Sequence, residues 1–113
     1  MKEQRLIKYD EQLQIEAYWF GGIMQKFPNH FHECYVLGFI EKGVRQLSCS
    51  NQKYVLKSGD MIVLNPYDNH SCQSLDDEPL DYRCLNIETK VMKKMVKDMT
   101  YLFVKSSVAL NFI

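Results

Sequence analysis

A chain of 113 residues suffices for one domain with a hydrophobic core that needs no disulfide to hold it together. Apolar residues at 46% and charged residues at 25% are ordinary globular values, which argues against an intrinsically disordered chain. Lysine plus arginine and aspartate plus glutamate stand at 14 each, so this neutral chain lacks the basic footprint of a nucleic-acid binder.

The first fourteen residues, MKEQRLIKYDEQLQ, are polar and weakly patterned, and we expect them to form a movable N-terminal arm. They contain no apolar signal-peptide core, and no later run approaches membrane-spanning length. Residues 15–20 alternate well enough for a strand ending at Gly21-Gly22. Residues 31–40 form a long apolar run, closed by a turn at Glu41-Lys42-Gly43 where glycine can take positive φ. Strands follow at residues 44–49 and 53–56, separated by the polar turn Ser50-Asn51-Gln52. Lys57-Ser58-Gly59-Asp60 is another turn, shaped by Asp60, and residues 61–64 are a compact buried strand. Pro66 ends that strand, because proline fixes φ and supplies no donor. Residues 71–75 and 82–87 are the last strands, with an acidic loop between them. Short strands at this spacing predict an all-β sandwich or barrel.

The tail has a different period. Val91, Met92, Met95, Val96 and Met99 form a helical stripe over residues 88–100, with Lys90, Lys93, Lys94 and Lys97 mostly opposite. Such a helix either lies on the β-domain or meets a second subunit or domain, and the two readings are compatible. Residues 101–113 are rich in apolar side chains and carry no stop signal, so we expect the natural chain to continue past Ile113. Cys34, Cys49, Cys72 and Cys84 lack metal-ligand spacing and sit in strand-like runs. They read as small hydrophobes in a reduced, cytoplasmic protein.

All three histidines fall in two segments, HFHE at residues 30–33 and the end of GDMIVLNPYDNHS. His30 and His32 are two apart, which on a strand points both imidazoles to one face. His70 follows a second apolar run, where a neighbouring strand brings it alongside. Converging imidazoles make either a metal site or the polar floor of a ligand pocket. The same parity turns Cys34, Val36 and Gly38 inward, and leaves Tyr35, Leu37 and Phe39 as an outer apolar patch of the kind that marks an interface. Arg83, in a strand between Tyr82 and Leu85, needs a partner. It either clamps an anionic effector or pairs with an acidic residue such as Glu33 or Asp60. Trp19 caps the pocket or joins the core.

Together, Gly22, His30-x-His32, Gly43, and Gly59-Asp60 leading to Pro66 and His70 resemble the two-motif signature of the cupin superfamily. The run FPNHFHECYVLGFIEKGVRQL, then LKSGDMIVLNPYDNHS, then DYRCLNI is similar to the N-terminal sensor domain of AraC-type transcriptional regulators. The likeness covers residues 18–87 and implies a double-stranded β-helix, a jelly-roll barrel with a C-terminal helix. It implies a cavity for a small polar effector such as a sugar or amino-acid derivative, bound near His30, His32, Val36, His70 and Arg83. It also implies a homodimer, and DNA contact only through a C-terminal helix-turn-helix domain that these 113 residues do not include. Effector binding would then shift the arm and the tail helix between two arrangements.

Metal-binding members of the superfamily use the HxH pair, a glutamate shortly after it and the later histidine. His30, His32 and His70 match, but the carboxylate position falls at Val36 or Leu37, which cannot coordinate. No cofactor is expected on that ground, while a divalent transition metal on three imidazoles stays open. A stand-alone metal-dependent cupin enzyme, an isomerase or dioxygenase, is the alternative to a non-enzymatic sensor. It would need the missing ligand, or Cys34 as a nucleophile beside the histidines.

Overall fold

The computed structural model describes residues 3–105. They form strands β1 (Gln4–Asp10), β2 (Ile15–Ile23), β3 (Phe27–His30), β4 (Tyr35–Lys42), β5 (Arg45–Cys49), β6 (Gln52–Leu56), β7 (Met61–Leu64), β8 (His70–Ser74) and β9 (Leu80–Ile87), then helix α1 (Thr89–Lys105). One sheet runs in the order β1-β2-β9-β4-β7 and the other β3-β8-β5-β6, every pair antiparallel. Their inner faces enclose Ile23, Val36, Ile40, Leu47, Leu56, Leu64, Leu80 and Cys84, the double-stranded β-helix that the sequence implied. Alternation drives this arrangement. On β4, Val36, Gly38 and Ile40 are buried while Phe39 is 39% exposed. Gly38 is required by close approach, since a Cβ there would lie 2.8 Å from Ile62 Cγ1 and against the Tyr82 hydroxyl.

Four features depart from the sequence reading. The segment expected as an arm contains β1, paired along its whole length with β2 and exposed at every position. It is held by ladder hydrogen bonds more than by burial, so its sequence carries no clean alternation. Gly21-Gly22 does not end the first strand but forms a bulge within it, with Gly22 at φ 69 and its N–H donating to Asp81 Oδ1 at 2.9 Å. The run at residues 31–40 is not one strand, because β3 stops at His30 and β4 starts at Tyr35. Trp19 belongs to neither pocket nor core. It lies on the outer face of the five-stranded sheet and donates from Nε1 to Glu41 Oε1 at 3.2 Å.

Helix α1 begins as expected but continues to Lys105, and it runs off the end of the barrel. Met95, Val96 and Met99 stay 40–54% exposed. The apolar residues from Val108 to Ile113 lie outside the described residues. No helix among the described residues is long and apolar enough to cross a membrane.

Candidate ligand-binding site

Three different segments deliver the histidines. His30 ends β3 and pairs directly with His70, the first residue of β8. His32 sits in the connection after β3, where its carbonyl accepts the Tyr67 N–H at 2.7 Å. That bond ties the HxH segment to the Asn-Pro-Tyr-Asp turn, which closes on itself through Asp68 N–H to Asn65 O at 3.2 Å and Asn65 N–H to Asp68 Oδ2 at 3.2 Å. The ring centroids are 4.9 Å apart for His30–His32, 4.3 Å for His30–His70 and 5.1 Å for His32–His70. One nitrogen from each ring lies within 4.8 Å of the others.

Hydrogen bonding sets the tautomers of two rings. His30 Nδ1 lies 2.6 Å from Pro28 O, and His70 Nδ1 lies 3.0 Å from Asp68 O. A carbonyl only accepts, so both Nδ1 atoms carry the proton and both Nε2 atoms present lone pairs. Burial pushes the His32 imidazole below its ordinary pKa, and charge on His30 or His70 pushes it further. Burial also lowers His70, against the opposing pull of the Asp68 carbonyl. Imidazole lone pairs converging in this way call for a cation or for hydrogen-bond donors between them. Three nitrogen donors with no carboxylate suit a divalent transition metal with open coordination positions.

The histidines form part of the wall of a cavity of about 310 Å³ between the sheets. The rest is mainly aromatic and aliphatic: Tyr18, Phe20, Phe27 and Tyr82, with Val36, Ile40, Leu47, Leu56, Ile62, Leu64 and Leu80. Asn86, the thiols of Cys72 and Cys84, and Arg5 and Ile7 from β1 complete it. Tyr18 is pushed up to about 12, chiefly by burial and then by Glu16, while burial keeps Tyr82 far above the ordinary phenol range. Burial likewise raises Cys34, Cys72 and Cys84, the last to about 12, so these thiols stay protonated. A protonated, partly buried Cys34 is a poor nucleophile. A cleft at the base of α1, lined by Glu16, Glu33, Glu88, Thr89 and Lys90, shares Tyr18, His32 and Asn86 with the cavity.

The structure therefore brings His30, His32, His70 and Val36 to one cavity. It does not bring Arg83 there. Tyr82 and Cys84 face the cavity, so strand parity turns Arg83 outward, 64% exposed, with Nε 2.8 Å from Glu41 Oε1. The partner is Glu41, neither Glu33 nor Asp60. Sequence reasoning also missed Arg45, which is fully buried on β5 and donates to Ile23 O at 2.8 Å and Gln25 O at 2.9 Å. The available signal was parity, since Arg45 shares a face with buried Leu47. The cavity aromatics on β2, β3 and β9 were legible by the same rule.

A family model described as the AraC-like ligand binding domain matches residues 12–107. The uncharacterized HTH-type transcriptional regulator YbfI of Bacillus subtilis (strain 168) is 54% identical over 98 residues, covering 87% of this chain and 36% of that protein. The chain thus spans about a third of the length of that curated relative. Among solved structures, the Cnp3 cupin domain of Schizosaccharomyces pombe matches at TM-score 0.69 and 10% identity, over 86% of this chain and 75% of that one. KdgF from Halomonas sp. matches at TM-score 0.63 and 18% identity, over 81% and 91%. These two share the fold.

Proposed function

The chain belongs to the AraC-like ligand-binding domain family, and on that premise we propose that it senses a small-molecule effector for a helix-turn-helix transcriptional regulator acting in the cytoplasm. The observation that carries this reading is the cavity of about 310 Å³ between the sheets with three histidines in its wall. The effector sits between the sheets, with Val36 on the apolar wall and His30, His32 and His70 offering hydrogen-bond acceptors. DNA contact falls to a separate helix-turn-helix part, consistent with a curated relative far longer than the matched region and with the zero net charge here.

The module is a binding domain and not an enzyme. Val36 or Leu37 stands where the carboxylate ligand would be, and the thiols are held protonated. A divalent metal, where bound, would be held by His30, His32 and His70 and would supply a Lewis-acid anchor for an effector oxygen. A homodimer fits the exposed stripe Met95, Val96 and Met99 on α1 and the outer sheet face around Leu6, Phe39, Met61 and Val63.

The test is a compound screen by thermal shift on the full chain, followed by hydrogen exchange. An effector should raise the melting temperature, lose that effect in His32→Ala, and change amide protection in β1 and α1. A compound that stabilises the protein and His32→Ala equally, with no change in either segment, would refute the sensing mechanism.

A further inference from the structure

The lining of the cavity narrows the chemistry of what it takes. No aspartate, glutamate or lysine among the described residues contributes to it, and its only permanent charge is Arg5. A sugar needs donors and acceptors all round its ring, and here only the imidazoles, the Tyr18 and Tyr82 hydroxyls and Asn86 interrupt walls that are otherwise hydrocarbon and aromatic, so most of its hydroxyls would go unpaired. An amino-acid zwitterion or an amine would bring an ammonium group that the imidazoles could accept from but that no carboxylate in the lining would balance in charge. Arg5 stands opposite Phe20 in the β1–β2 ladder, its guanidinium carbon 5.1 Å from the centre of the Phe20 ring. Phe20 stacks in turn on Tyr18 at 5.5 Å. Glu3 engages Nε, at 2.6 Å, and among the described residues no side chain pairs with the two Nη groups of Arg5, which can meet a second anion. Two N–H groups on one planar fork match a carboxylate.

We propose that the effector is a small amphipathic carboxylate, with its apolar body between the sheets and its anion held by Arg5 at the cavity mouth. This rests on the barrel being the effector site, and it replaces the polar sugar or amino-acid derivative expected from the sequence.

The experiment is calorimetric titration of the full chain, stripped of metal by a chelator, with phenylacetate, phenylacetamide, phenethylamine and glucose. Phenylacetate should bind at least about tenfold more tightly than its neutral amide, with no binding of the amine or the hexose. Arg5→Gln, a change on an exposed edge strand, should bring acid and amide to equal affinity. Equal binding of acid and amide to the unaltered chain, an Arg5→Gln variant that keeps the preference, or binding by none of the four would each overturn the proposal. Binding of glucose or phenethylamine instead would overturn the ligand class and leave the cavity reading intact. Phenylacetate binding that survives unchanged in both Val36→Phe and Ile62→Phe, which fill the cavity, would overturn the reading of the barrel itself.

Discussion

Replacing Arg45 tests how the histidine strand is held in place. Its side chain is 0% exposed, yet no carboxylate among the described residues lies within ion-pair distance. Its fork reaches Ile23 O at the end of β2 and Gln25 O in the connection to β3, and its guanidinium carbon lies 5.9 Å from the Phe27 ring centre. The residue thereby pins the segment that leads into His30. Arg45→Met keeps most of the volume and removes both charged hydrogen bonds, each worth roughly 1.5–3 kcal/mol. Against that loss, the variant no longer buries an unpaired cation whose Nε has no partner, an offset of roughly 2–3 kcal/mol. The net expectation is a loss of about 2 kcal/mol. With a urea slope of about 1.5 kcal/mol/M, the unfolding midpoint falls by roughly 1.3 M. Arg45→Lys should lie between the two, since one ammonium cannot span both carbonyls in plane. Amide exchange should quicken across Phe27–His30 and stay unchanged in β1. An Arg45→Met protein as stable as the original, with β3 protection intact, would refute the clamp.

The lowered pKa values of His32 and His70 give a signed pH dependence. The folded state prefers neutral rings, so their contribution is complete above about pH 6.5 and erodes as pH falls toward the lowered folded values. The slope is at most about 1.4 kcal/mol per pH unit per histidine, and a His32→Asn/His70→Asn double variant should flatten it; a double variant that keeps the slope would sink the assignment. Arg83→Ala breaks only an exposed pair with Glu41, so it should cost less than about 1 kcal/mol and leave effector binding unchanged. A marked loss of effector binding in that variant would contradict its outward placement.

Much of the barrel was legible because period-two patterning and turn chemistry agree in its central strands. Gly43, at φ 106, and the Lys57–Asp60 turn, closed by Lys57 N–H to Asp60 Oδ2 at 2.8 Å, stand where the sequence put them. β1 was not legible, because a strand exposed on both faces has no pattern to read. The break between His30 and Tyr35 was hidden by continuous apolar and aromatic residues, which look the same across a bend as along a strand. The convergence of the histidines survived that error, since β3 and the bend deliver them by another route. Arg83 went the other way. Its charge suggested a clamp, whereas the alternation set by Tyr82 and Cys84 already assigned it outward.

β9 places Tyr82, Cys84 and Asn86 on the cavity wall, and only Glu88 separates its last residue, Ile87, from the first residue of α1, Thr89. No loop intervenes to absorb a shift of that strand. Any free energy coupling cavity occupancy to the direction of the helix must be reciprocal. A second copy or a further domain that grips α1 would alter the hold on an effector by the same factor with which the effector alters that grip. An affinity measured on the 113 residues alone would then belong to the ungripped helix, and the assembled protein would have its own.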